Sequence, residues 1–143
     1  MDIFTAKKRS DVMRRIRGVD TRPELAVRQA LHRAGYRFVL HDSRLPGRPD
    51  IVLPRYRMAV QVRGCFWHAH SCRQGRMPKS RRGYWVPKLL ANKSRDRKND
   101  RKLKALGWHT FVAWECKLRT ANLLSGQMAV LTRALRAVLK PAR

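Results

Sequence analysis

Asp50-Ile51-Val52-Leu53-Pro54-Arg55-Tyr56-Arg57-Met58-Ala59-Val60-Gln61-Val62-Arg63 reads as a strand, a turn and a returning strand. Asp50–Leu53 is one strand, and Met58–Arg63 returns as a buried-looking one. Pro54 and the basic residues after it turn the chain back. An antiparallel return brings Gln61 and Arg63, late in the second run, beside Asp50 at the start of the first.

The pattern extends in both directions. Upstream, Leu45-Pro46-Gly47-Arg48-Pro49 is turn chemistry, and Tyr36–Leu40 alternates as another strand. Thr21-Arg22-Pro23-Glu24 is a capping box with proline in the first turn. The helix it opens carries Leu25, Val27, Ala30, Leu31 and Ala34, and Gly35 stops it. Residues 1–20 are a basic arm or a short amphipathic helix, and residues 21–143 make one domain. Downstream, a basic loop runs from Arg73 to Arg82. Pro87 opens a polar helix over 88–106, which Gly107 ends. Trp108–Trp114 is a fourth strand, whose alternation assigns Trp108 and Trp114 to the core, and residues 120–139 close the chain as an amphipathic helix. The order α-β-β-β-α-β-α predicts an α/β fold, a mixed sheet flanked by helices.

The 143 residues hold 34 Lys+Arg against 9 Asp+Glu, a formal charge of +25. Self-repulsion of that size points to a polyanionic partner, and nucleic acid leads. No apolar run approaches the ~20 residues that span a bilayer, and nothing resembles a signal peptide. These features exclude an integral membrane protein and predict a soluble, cytoplasmic chain. An odd count of 3 cysteines favours metal ligation or free thiols over a disulfide framework.

Gly64-Cys65-Phe66-Trp67-His68-Ala69-His70-Ser71-Cys72 concentrates the soft ligands. Cys65, a histidine and Cys72, joined by Cys116 after the fourth strand, suit a closed tetrahedral zinc. Either His68 or His70 could complete that set, and periodicity does not choose. The other histidine would stand beside an oxygen-ligand metal site as a general base. Asp50 facing Gln61 and Arg63 resembles strand-end Mg2+ sites of hydrolytic nucleases, with a main-chain carbonyl as second ligand. Phe66, Trp67 and Trp85, set among arginines, suit apolar wedges that unstack a base step.

Leu45-Pro46-Gly47-Arg48-Pro49-Asp50, Gly64-Cys65-Phe66-Trp67-His68 and Trp114-Glu115-Cys116-Lys117-Leu118-Arg119 together resemble the very short patch repair (Vsr) endonucleases, over about Arg9 to Arg119. The resemblance implies a restriction-endonuclease-like fold with a structural zinc. It also implies Mg2+-dependent nicking of double-stranded DNA 5′ to the T of a T:G mismatch left by deamination of 5-methylcytosine. By position, Asp50 and the Val62 carbonyl would hold Mg2+, His68 would be the general base, and Glu24 an acidic neighbour. Cys65, His70, Cys72 and Cys116 would hold zinc, while Phe66, Trp67 and Trp85 would enter the duplex. It further implies a monomer in the bacterial cytoplasm, with mismatch-repair proteins as candidate partners. Arg63 departs from a histidine found in some relatives; arginine cannot shuttle protons, so it would hold a phosphate or stabilise developing charge. Two other classes stay open: a restriction or mobile-element endonuclease of matched DNA, and a zinc-stabilised DNA-binding protein without catalysis.

Overall fold

Pro54 stops the central strand where the hairpin must turn, since it has no amide to continue a ladder. The computed structural model describes residues 21–139, so the basic segment 1–20 lies outside the described residues. Strand β1 is Val39–Leu40, β2 is Ile51–Leu53, β3 is Met58–Arg63 and β4 is His109–Trp114. They form one sheet in the order β1-β2-β3-β4, antiparallel except for the parallel pair β3/β4. Helices α1 (Arg22–Arg33), α2 (Arg82–Ala105) and α3 (Ala121–Leu139) complete an α/β arrangement around this mixed sheet.

β3 is buried almost throughout, as its largely apolar run predicted, and β2 is buried along its whole length. Ile51, Leu53, Met58 and Val60 pack with Val27 and Leu31 of α1 and with Leu131 and Leu135 of α3. Residues of opposite parity face the other side, where Arg63 of β3 reaches Asp100 of α2. Parallel β3 and β4 need a long crossover, which α2 supplies.

Both glycine stops form the expected caps. The Gly35 amide donates to His32 O and the Tyr36 amide to Leu31 O, with Gly35 at φ +88°. Gly107, at φ +86°, repeats the pattern through Lys104 O and Leu103 O.

Four expectations need correction. β1 covers two residues rather than the predicted run from Tyr36, because its register would place Arg37 against Pro54. α2 begins at Arg82, so Pro87 lies inside the helix and does not open it. The carbonyl that Pro87 leaves unbonded belongs to exposed Gly83, where water can reach it. Leu25, assigned to the apolar face of α1, is exposed. Neither Trp108 nor Trp114 joins the core: Arg57 lies over the Trp108 ring at 5.6 Å, and Trp114 stacks on His70 at 3.9 Å.

No helix among the described residues is long and apolar enough to cross a membrane.

Candidate active site and metal centre

The hairpin register sets Ile51 against Val60, so Asp50 lies just beyond the end of β2 opposite Gln61. There its Oδ2 accepts the Val62 amide at 2.7 Å. In an extended strand the amide and carbonyl of one residue point to the same side, so the Val62 carbonyl also faces past the end of β2. Burial raises the Asp50 carboxyl to about 6; nearby Glu24 adds to this, while the Val62 amide, His41 and His68 oppose it.

Glu24 is 2% exposed. Its amide donates to Thr21 Oγ1 at 3.4 Å, the cap expected at the start of α1. Its carboxylate accepts from Arg28 at 2.5 Å and lies 2.9 Å from His41 Nε2. His41 Nδ1 is 4.0 Å from Asp50. Glu24, His41 and Asp50 thus offer three ligand atoms within 4.8 Å of one another. Two carboxylates and an imidazole beside a main-chain carbonyl form an oxygen-rich set that fits a hard divalent cation.

His68 turns away from the cysteines. Its Nδ1 lies 2.5 Å from Asp96 Oδ2 on α2. An ionised carboxylate only accepts, so this contact places the proton on Nδ1 and leaves Nε2 basic. Arg63 is buried at 8% exposure, with its guanidinium 2.8 Å from Asp100 and 3.9 Å from Asp96. Asp96 and Asp100, four residues apart on one helix face, bind β3 and the His68 loop to α2.

The two possible ligand histidines separate cleanly by position. Cys65, His70, Cys72 and Cys116 present four ligand atoms within 4.8 Å of one another. The parallel register explains how distant residues meet: Arg63 pairs with Trp114, and Cys65 and Cys116 each lie two residues further on. His70 is fixed by its amide bond to Cys65 O at 3.0 Å and by its stack on Trp114. Burial pushes the Cys65 thiol up to about 12. At Cys72 burial acts in the same sense but is outweighed by hydrogen bonds from His70, from Cys65 and from the Gly75 and Gln74 amides, which hold the thiol down at about 6. Three sulfurs and one imidazole without an open position fit tetrahedral Zn2+.

Phe66, Trp67 and Trp85 converge with ring centres 5.1 to 5.7 Å apart. Asn92 donates to Trp67 O at 3.0 Å and anchors that loop on α2. These rings wall a cleft of about 1150 Å3 that also takes in Glu24, Asp50, Gln61, Val62, Arg63, His68, Asp96 and Asn99. Sequence reasoning missed His41, Asp96 and Asp100. With only 9 acids in the chain, two at helical spacing on a basic helix were a usable signal for the aspartates. His41 had none, since only the fold brings it to Glu24.

The family model for the DNA mismatch endonuclease Vsr matches residues 1–74. The Type II nicking enzyme V.XorIIP of Xanthomonas oryzae pv. oryzae is 46% identical over 127 residues, which cover 89% of this chain and 93% of the relative. The Type II nicking enzyme V.NmeAIP of Neisseria meningitidis is 41% identical over 94% of this chain and 96% of its own. The DNA mismatch endonuclease Vsr of Escherichia coli is 37% identical over 88% of this chain and 81% of its own.

Proposed function

The chain belongs to the Vsr DNA mismatch endonuclease family and is a DNA endonuclease, and on that premise we propose that it nicks one strand of duplex DNA 5′ to the T of a T:G mismatch left by 5-methylcytosine deamination. The observation that carries this reading is one shared cleft: Asp50 and the His68–Asp96 pair face the space that Phe66, Trp67 and Trp85 wall. Reaction chemistry and an aromatic wedge in one cavity suit an enzyme that acts on a distorted base step. In this reading the fold is the restriction-endonuclease-like variant, with residues 21–143 as one endonuclease domain and the basic segment 1–20 adding phosphate contacts. The enzyme acts as a cytoplasmic monomer, with mismatch-repair proteins as partners.

Asp50 and the Val62 carbonyl would hold Mg2+, and Glu24 completes the acidic wall. A Mg2+ held there would polarise the phosphodiester and neutralise charge that develops on it. His68 Nε2 takes the proton of the attacking water, and Asp96 holds the ring in the required tautomer and balances its charge. Arg63, paired with Asp100, keeps the end of β3 against α2 and adds positive potential beside the scissile phosphate. Cys65, His70, Cys72 and Cys116 would hold a structural zinc, and Phe66, Trp67 and Trp85 would enter the duplex.

A nicking assay with Mg2+ on duplexes that differ only in one T:G or T:A pair, placed in several sequence contexts, tests the reading. The expected result is a single nick 5′ to the T of the mismatch alone. Two of the relatives are named as nicking enzymes without mention of a mismatch, and the second reading is an endonuclease that cuts matched DNA. Equal cutting of both substrates would select it, and tight binding without cutting would make the chain a DNA-binding module.

A further inference from the structure

We propose that His41 is a further ligand of the cation held at Asp50, and that this nitrogen donor shifts the site's preference from Mg2+ toward Mn2+. The inference rests on the proposal that Asp50 binds the catalytic cation. His41 follows β1 directly, and its amide donates to Asp50 O at 3.1 Å, so the ladder itself fixes where the ring begins. The ring lies between two carboxylates: Nε2 is 2.9 Å from Glu24 Oε1, and Nδ1 is 4.0 Å from Asp50 Oδ1. That last separation is too long for a hydrogen bond. It falls within two metal–ligand bonds of roughly 2.0–2.2 Å, so one ion can touch both atoms.

The Glu24 side of the ring supports the same assignment. An ion at Nδ1 requires the proton on Nε2, and the buried Glu24 carboxylate is placed to accept it. Metal-bound histidines are commonly oriented by a carboxylate in this way. Arg28 Nη2 also approaches His41 Nε2 at 2.9 Å and Glu24 Oε1 at 2.5 Å. With Nε2 protonated, both Nε2 and Arg28 donate to Glu24 and Arg28 balances its charge, which makes Glu24 the orienting group and leaves Asp50 and His41 as the ligands. Mg2+ is held almost wholly by oxygen, whereas imidazole suits first-row transition ions.

Mn2+ titration of the full-length, zinc-loaded protein without DNA, followed by electron paramagnetic resonance, reads this directly. Wild type should bind one Mn2+ whose pulsed spectrum shows a directly coordinated nitrogen. His41→Gln, which can still bond to Glu24, should lose that nitrogen coupling and bind Mn2+ about tenfold or more weakly. Its Mg2+ affinity, measured by competition, should change less. Wild type that binds Mn2+ through oxygen alone, or binds none at millimolar concentration, would overturn the proposal, and so would nitrogen coupling that survives in His41→Gln. Asp50→Asn should abolish binding. An Asp50→Asn protein that keeps Mn2+ with its nitrogen coupling would instead sink the Asp50 assignment beneath it, a separate failure.

Discussion

An imidazole serves as a directed base only when its other nitrogen is held, and Asp96 holds His68 Nδ1 at 2.5 Å. Asp96→Asn should therefore lower the nicking rate by about 10²–10⁴-fold, comparably to His68→Ala, with zinc content and DNA affinity close to wild type. Loss of zinc from His68→Ala would mean that His68, not His70, completes the cysteine set. Asp50 gives a pH prediction. Its folded carboxyl titrates at about 6 against an ordinary 3.8, so between those values the folded chain binds a proton that the unfolded chain has released. Ionised Asp50 therefore costs stability increasingly from pH 3.8 upward and fully above about 6. Asp50→Asn should stabilise the protein by on the order of 2–3 kcal/mol at pH 7 without added divalent cation, and hardly at pH 3.5. Denaturant melts at the two pH values check this. Divalent-cation binding to wild type should weaken as pH falls below about 6, since the proton competes for the same carboxylate.

At the scale of elements, the cysteine loop has little apolar content, and the ends of β3 and β4 carry it. Gly75 lies so close to His70 that a Cβ there would sit 1.8 Å from the His70 carbonyl oxygen. Gly75→Ala must displace the backbone that presents His70. It should cost roughly 2–4 kcal/mol and reduce bound zinc, as measured by thermal melting and metal analysis. Cys116→Ala should lose zinc and fold stability together, because it unties β4 from the loop. A zinc-replete, fully stable Cys116→Ala protein would sink the four-ligand assignment. Pro87 inside α2 shows local preference overridden at this scale: Trp85 packs on Phe66 and Trp67, so the first turn of the helix is held by contacts with the loop.

Across the whole molecule the charge of +25 is the dominant field. It falls heavily on α2, where Arg82, Lys88, Lys93, Arg95, Arg97, Lys98, Arg101, Lys102 and Lys104 accompany only Asp96 and Asp100. Both acids face inward to Arg63 and His68, which leaves the outer surface basic. If six to ten phosphates are contacted, affinity for duplex DNA should fall by roughly 10³-fold or more between ~50 and ~200 mM salt. A flat salt dependence in a fluorescence-anisotropy titration would contradict a phosphate-tracking surface. Trp85→Ala should reduce discrimination of T:G over T:A more than it reduces affinity for matched DNA, because basic side chains supply the latter.

Local chemistry sufficed where one segment settles its own conformation. Gly35 and Gly107 end helices because they accept positive φ, Pro54 ends β2 because it has no amide, and the apolar runs of β2 and β3 place them at the centre of the sheet. The motifs around Asp50 and Cys65 likewise marked residues that the fold gathers into the candidate site. Tertiary structure decided what depends on partners far along the chain. Parallel register, not spacing, brings Cys116 to Cys65, and α2 takes His68 for Asp96 while Trp114 takes His70 for the cysteine cluster. The same dependence hid His41, and it moved Trp108 and Trp114 out of the core they were assigned to. A strand pattern records that side chains alternate, but which face is covered, and by what, is decided only when the other elements pack against it.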